Sequence, residues 1–371
     1  MLVTLMNDAF LFSRLRLAVV LGLLSAAVSA AGQSRVLEVD LFRQGEGGVH
    51  TYRIPALVQT RQGTLIAVAD ARHDSARDLP ARISLVMRRS FDGGRHWTPA
   101  QIVLPAPEGG GVGDPSLLLD RATGRVWCFH AYGPPGIGFA TARPGAVTGP
   151  ATMQVHAMHS DDDGATWSAP EDLTPQLKRP EWQAVFATSG THFQTSKGRF
   201  LVPLVVRDAA GVVSSRNAWS DDHGLSWHTG EPLAPGSDES KAIELKDGTI
   251  LQNARQGPRR AIGRSADGGV TFGPVEHDEA LIDAVCNAGL ARYTRGRKDV
   301  VIFTNAASTK RENLTLRLSY DSGRSWPVSR VLYSGPAAYS TAIPLKDGSI
   351  AVLYERGDQS PYERITFTIV K

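Results

Sequence analysis

Ser90-Phe91-Asp92-Gly93-Gly94-Arg95-His96-Trp97 is the first of a series. Its pattern, Ser-x-Asp-x-Gly-x-x-Trp, returns at Ser160–Trp167, Ser220–Trp227 and Ser319–Trp326, and at Ser265–Phe272 with Phe replacing Trp. Each position has a physical task. The Ser and Asp side chains hydrogen-bond the local backbone, Gly takes the left-handed conformation, and the aromatic ring packs the turn onto the sheet below. One Asp-x-Gly turn carries little information, whereas five copies mark an internal repeat, and a repeat governs the architecture. The copies start 70, 60, 45 and 54 residues apart, about 57 on average.

Short β-type runs fill the intervals, among them Thr64-Leu65-Ile66-Ala67-Val68, Arg125-Val126-Trp127-Cys128-Phe129 and Val300-Val301-Ile302-Phe303, bounded by Gly, Pro, Asp and Asn. Lys-Asp-Gly at 246–248 and 346–348 precedes a new β run each time, and Asp-Gly between apolar runs is a hairpin signal. Residues 1–30 differ in kind. Arg14 and Arg16 precede the apolar run Leu17–Leu24, and small residues follow to Val28-Ser29-Ala30. That is the layout of a cleavable signal peptide, with an apolar core shorter than the ~20 residues a membrane span needs. The expectation is an exported protein, periplasmic or secreted after cleavage near Ala30, with no stable membrane insertion. Removing residues 1–30 leaves 341, room for six units of the observed spacing. The repeat therefore predicts an all-β fold, a six-bladed β-propeller of four-stranded antiparallel blades, with 31–371 as a single domain. A parallel β-helix is the competing fold, but its repeats are shorter and more regular.

Charge excludes several partners. The chain carries 40 Lys and Arg against 37 Asp and Glu, net +3, falling to +2 without residues 1–30. That balance, without a basic stripe interleaved with aromatics, argues against nucleic acid, yet it leaves room for a locally positive pocket. Cys128 and Cys286 could form a disulfide or remain as two buried thiols, and their spacing is not that of a metal site. Asp161-Asp162-Asp163 lies inside a box and reads as a turn rather than a calcium loop. His156 and His159 would face opposite sides of a strand. Gly109-Gly110-Gly111 lacks the Gly-Lys-Ser/Thr of a phosphate loop. No cofactor and no metal are expected.

The boxes resemble the Asp-boxes of the sialidase superfamily, and the resemblance extends along nearly the whole of 31–371. Tyr52-Arg53-Ile54-Pro55 matches that family's Arg-Ile-Pro motif. Asp78, 25 residues on, stands about where the family has its acid/base Asp, and Gly113-Asp114-Pro115-Ser116 resembles the loop whose Asp recognises a sugar hydroxyl. Asp238-Glu239-Ser240 through Asn253-Ala254-Arg255 resembles the block in which a catalytic Glu precedes an Arg by sixteen residues. Glu244 competes with Glu239 for that role, but belongs to a strand-turn element and is expected to face outward. Arg311 and Tyr339, 28 residues apart, match the third arginine and the nucleophilic tyrosine, and Glu355 the acid that braces the first arginine. Arg72 is similar to an auxiliary pocket arginine, one residue out of register with close relatives, and His73 and Arg77 are its substitutes. Trp182, Phe186 and Phe193 could line an apolar subsite, though packing a blade is the preferred reading.

The resemblance implies a monomeric, cofactor-free glycosidase acting on sialylated glycans. Sialic acid carries a carboxylate on its anomeric carbon, and three arginines supply planar, permanently charged forks that match it. A carboxylate nucleophile would approach a carbon already bearing negative charge. Tyrosine avoids this, and sialidases are an exception to the two-carboxylate rule of glycosidases. Competing functions are a hydrolase of a related ulosonic acid, a trans-sialidase, and a non-catalytic glycan-binding propeller. The last would have no need for Asp78, Glu239 and Tyr339 together.

Overall fold

The hairpin signals and β runs are realised almost entirely as antiparallel strands in the computed structural model, which describes residues 35–371. The expectations for a signal peptide and for cleavage near Ala30 lie outside the described residues. Residues Val36–Lys371 form one compact unit. No helix among the described residues is long and apolar enough to cross a membrane. Among the described residues the α-helical content is a single turn, Thr174–Leu177.

Strand pairing among the described residues yields five sheets. The first comprises Thr51–Gln59, Leu65–Arg72, Ile83–Ser90 and Gln101–Leu104 in chain order. The second contains Gly111–Leu119, Val126–Gly133, Gln154–Ser160 and Glu171–Asp172, with Gly190–Thr191 added in parallel beside Gly111–Leu119. The third is built from Ala184–Ala187, Phe200–Arg207, Val213–Ser220 and His228–Thr229, with Phe193–Gln194 paired beside Phe200–Arg207, and the fourth from Ser240–Glu244, Ile250–Ala254, Arg259–Ser265 and Glu276–Ile282. The last has seven strands, with the N-terminal strand Arg35–Arg43 at its edge beside the C-terminal Arg364–Val370.

Five sheets rather than six follow from one long strand. Val328–Pro344 spans 17 residues. Its Val328–Pro336 part pairs with Glu312–Ser319, and its Ala337–Pro344 part with Ile350–Arg356, so two groups of strands register as one sheet. Burial changes along it, from mostly exposed at Val328–Val331 to buried at Ala337–Ile343.

Apolar clusters join each sheet to the next. Ala56, Ile66 and Met87 meet Leu117, Cys128 and Met158. Leu118 and Phe129 meet Val185, Phe200 and Trp227. Leu201 meets Ala242 and Ile250, and Ile243 and Leu251 meet Leu290 and Phe303. Leu353 and Phe367 of the last sheet then pack on Leu57 and Leu65 of the first, so the ring of contacts closes. Every residue of Leu65–Arg72 is buried, as expected of a strand covered on both faces.

Each of the five boxes follows directly on the third strand of a four-strand run, that strand ending on the box serine. In all five, the glycine N–H donates to the serine Oγ at 2.8 Å. The serine hydroxyl in turn donates to the Asp carboxylate at 2.7–2.9 Å. The glycines hold φ between +76° and +91°, which only Gly adopts without strain. Trp97 meets Phe367 edge-on at 5.1 Å, fixing its turn to the sheet below.

Candidate active site

One end of the innermost strands carries the chemistry. Three of these strands are interrupted by register shifts, at Arg53/Ala56, Gly113/Ser116 and Ala337/Ser340. The first two contain Ile54-Pro55 and Asp114-Pro115. Proline cannot donate to the ladder, and Ile54 and Asp114 take positive φ, +61° and +55°. Such bulges re-aim side chains. Here they accompany Arg53, Asp114 and Tyr339, all of which line one cleft.

The cleft, about 400 Å³, is lined by Arg53, Asp78, Asp114, Glu239, Arg255, Arg311 and Tyr339, together with Asp238, Tyr362, Leu79, Phe139, Met153 and Phe186. A larger depression of about 620 Å³ between Gln59, Phe91, Lys346 and Lys371 gathers no comparable set of buried charges.

Tyr339 lies at its floor, 8% exposed. Its hydroxyl donates to Glu239 Oε2 and accepts from Arg255 Nη1 at 3.0 Å. The same Glu239 oxygen accepts from Arg255 Nη1 at 2.8 Å. Burial, then the Glu239 charge, hold the Tyr339 hydroxyl well above its ordinary pKa, against Arg255 and Arg53. The hydroxyl proton is directed at Glu239.

Arg53 is gripped from behind. Glu355, fully buried, accepts Arg53 Nε at 3.1 Å and Nη2 at 3.3 Å, and also the Ile54 and Tyr339 backbone N–H groups at 2.9 and 3.1 Å. One carboxylate thus ties the first arginine to the tyrosine strand. Burial opposes the Arg53 charge, but Glu355 and Tyr339 outweigh it and raise the pKa. The Arg53 guanidinium stacks 4.3 Å over the Tyr362 ring. Arg311 donates to the Tyr362 hydroxyl at 2.6 Å and to the Val285 carbonyl at 3.0 Å.

Asp78, on the connection after Leu65–Arg72, has a side chain 80% exposed and lies 2.7 Å from Arg72 Nη1 and 3.8 Å from Arg53 Nη1. Arg72 does not line the cleft. It is buried behind Asp78, held by Asp70 at 2.9 and 3.1 Å and by the Ala76 carbonyl at 2.7 Å. Of its substitutes, His73 bonds Ser84 Oγ at 2.7 Å, and Arg77 is not among the lining residues. Asp114 donates its N–H to Asp70 Oδ1 at 3.0 Å. Burial and the charges of Asp70, Glu239 and Asp78 push the Asp114 carboxyl well above the ordinary range. Burial likewise brings Asp70 up to about 6 against its Arg72 partner. Glu244 lies at the other end of its strand, accepting from Ser196 N–H at 2.6 Å.

The structure corrects one reading and decides one open alternative. Phe186 lines the cleft, meeting Phe139 edge-on at 5.3 Å, whereas Trp182 and Phe193 pack into apolar clusters. Cys128 and Cys286 are both free and buried, and burial raises each thiol to about 12. Sequence reasoning missed Tyr362, seven residues past Glu355 in no motif. It also missed Lys241, fully buried two residues after Glu239, whose ammonium donates to Asn287 Oδ1 at 2.7 Å and which burial brings down to about 7.

Residues 63–352 match the BNR repeat-like domain family. The chain is 39% identical over 353 residues to a sialidase of Micromonospora viridifaciens, covering 90% of this chain and 54% of that protein. It is 32% identical to a sialidase of Bacteroides fragilis, covering 93% of this chain and 66% of that one. Among solved structures, the Hadza microbial sialidase Hz136 superposes with a TM-score of 0.84 at 31% identity, over 90% of this chain and 68% of that one. The chain belongs to the bacterial-type sialidase family. It spans between about half and two thirds of the length of the two bacterial relatives. The sialidase resemblance first carried by the boxes is thus a family membership.

Proposed function

We propose that the chain is an exo-α-sialidase, a glycoside hydrolase that releases terminal sialic acid from glycoconjugates with retention of configuration. The observation that carries this reading is the buried Tyr339 hydroxyl, held between Glu239 and Arg255 on the floor of a cleft flanked by Arg53 and Arg311. Three arginines around one tyrosine suit a sugar whose anomeric carbon bears a carboxylate, because charge-assisted hydrogen bonds contribute roughly 1.5–3 kcal/mol each.

In this mechanism the substrate carboxylate sits among Arg53, Arg255 and Arg311, with the anomeric carbon above Tyr339 Oη. Tyr339 attacks as Glu239 takes its proton, and Asp78 protonates the departing glycosidic oxygen. Asp78, now a carboxylate, removes a proton from water. Water attacks the same carbon, the bond to Tyr339 breaks, and Glu239 returns the proton to the phenolic oxygen. Asp78 can exchange its proton with solvent, and Arg72 holds its carboxylate in place for the base step. Asp114, whose raised pKa favours the protonated acid, is a donor and acceptor for a sugar hydroxyl. Phe139, Phe186 and Met153 form an apolar wall for the uncharged substituents of the ring.

The architecture proposed with this function is a six-bladed propeller in which Val328–Pro344 serves two blades and Arg35–Arg43 completes the last one. Residues 1–30 would direct export, and the protein would act as a monomer. The test is fluorophore release from a 4-methylumbelliferyl sialoside, without added metal, by the wild type and by Asp78→Ala. Release that Asp78→Ala loses supports the reading. Silence from both would point to another ulosonic acid or to a glycan-binding propeller.

A further inference from the structure

We propose that the buried Arg260–Asp283 ion pair is a positioning device that sets the spacing between Arg255 and Arg311. The proposal rests on the sialidase reading for what those arginines grip; the device itself rests on hydrogen bonds behind the cleft.

Asp283 follows the strand Glu276–Ile282 and is 2% exposed. Its Oδ2 accepts the backbone N–H groups of Gln256 at 2.9 Å and Gly257 at 3.2 Å, which directly follow Arg255. Its Oδ1 accepts those of Val285 at 2.9 Å and Cys286 at 3.3 Å. One carboxylate therefore bonds two separate segments. Arg260, fully buried, completes the link with Nη1 3.2 Å from Asp283 Oδ2. Its Nε donates to Asn253 Oδ1 at 2.7 Å and its Nη1 to the Cys286 carbonyl at 2.8 Å. Asn253 begins Asn253-Ala254-Arg255, so the pair grips that segment from both sides of Arg255.

The second segment carries the other arginine. The Val285 carbonyl accepts Arg311 Nη2 at 3.0 Å. Val285 is β-branched, 46% exposed, and has φ +56°, a conformation such residues avoid. A strained residue persists where its surroundings over-determine it, and Asp283 holds the N–H of Val285 and of its successor. Neither Arg260 nor Asp283 lines the cleft. They act through Arg255 and the Val285 carbonyl.

An amide in place of Asp283 has one acceptor oxygen, and its NH2 would face backbone donors on one of the two segments. Asp283→Asn is therefore a near-isosteric cut between them. The test is sialoside kinetics for the wild type, Asp283→Asn, Arg311→Lys and the double variant. Asp283→Asn is expected to raise KM about tenfold while kcat changes less than about threefold. In the Arg311→Lys background that rise should shrink, because there is then no second guanidinium fork whose spacing from Arg255 the support can set. An equal KM rise in both backgrounds, or a loss of kcat with KM unchanged, would overturn the proposal. Should Asp283→Asn not fold, Arg260→Lys, which keeps the charge but not the three-way grip, is read by the same cycle. A silent wild type would sink the sialidase reading instead. Amide hydrogen exchange then decides: Asp283→Asn must speed exchange at one of the pairs Gln256/Gly257 or Val285/Cys286, and unchanged exchange at all four counts against it.

Discussion

The five box hairpins and the cleft use the same residue type in opposite ways. In the boxes, aspartate is exposed or nearly so and sits in a repeated set of donors. Hydrogen bonds from Thr166 and Ser160 bring Asp162 down to about 2, and those from Ser226 and Ser220 do the same for Asp222. At the cleft and directly behind it, three aspartates are pushed upward. Burial brings Asp70 to about 6, and burial with neighbouring carboxylates raises Asp114 and Asp238. A carboxylate satisfied by backbone donors is a structural part. A carboxylate desolvated beside like charges has an ionisation state that a ligand can change. The boxes are alike because each solves the same turn. The cleft residues are unlike one another because they come from different strands and connections around the ring.

The largest effect expected from this contrast is at Tyr339. Tyr339→Phe should fold normally and lose on the order of 10³-fold or more in kcat, since it removes the attacking atom itself. Near-normal turnover with an intact fold would break the contrast on the cleft side.

Lys241 sharpens it. Its folded pKa, about 7, is depressed below the ~10.4 of an unfolded lysine. The unfolded chain therefore binds more protons between those values, and stability from this group falls as pH drops from 10 to 7. Lys241→Met removes that slope. Urea unfolding should show the variant gaining on the wild type by a few kcal/mol between pH 10 and pH 7. A constant gap would mean that Lys241 is not desolvated.

Arg311→Lys should weaken binding of a carboxylate-bearing inhibitor by roughly 1.5–3 kcal/mol, because an ammonium cannot form the two parallel bonds of a guanidinium. Titration calorimetry with the inhibitor and its methyl ester separates that loss from any general loosening, since only the free acid should show it.

The smallest effect belongs to a box. Asp222→Ala removes the acceptor for Ser226 N–H at 2.9 Å and Ser220 Oγ at 2.8 Å. It should cost about 1 kcal/mol or less, given its exposure to solvent, and leave kcat/KM of the folded protein unchanged. Because the folded pKa is depressed, this contribution is present above pH ~4 and lost as pH falls toward 2. A large loss of kcat/KM would show that the boxes are not purely structural.

Local patterns were legible in the sequence, and relations across the ring were not. The box spacing and β runs led to an all-β fold, and motif order pointed to Arg53, Glu239, Arg255, Arg311 and Tyr339, which share one cleft. The merging of two strand groups through Val328–Pro344 has no sequence mark, because it depends on how one strand pairs on both of its edges. Tyr362 escaped because its significance is a stack on Arg53, more than 300 positions away in the chain. Phe186 sits in an apolar run whose pattern does not distinguish a cleft wall from a packed sheet face.

The most direct test of the central claim is mass spectrometry of the protein after incubation with a 2,3-difluoro sialic acid. Attack on its anomeric carbon expels one fluoride, and the remaining fluorine slows hydrolysis of the adduct. The account predicts one sugar per chain, on the peptide containing Tyr339 and absent from Tyr339→Phe. A label on Glu239, or none from an enzyme that turns over sialosides, would contradict it.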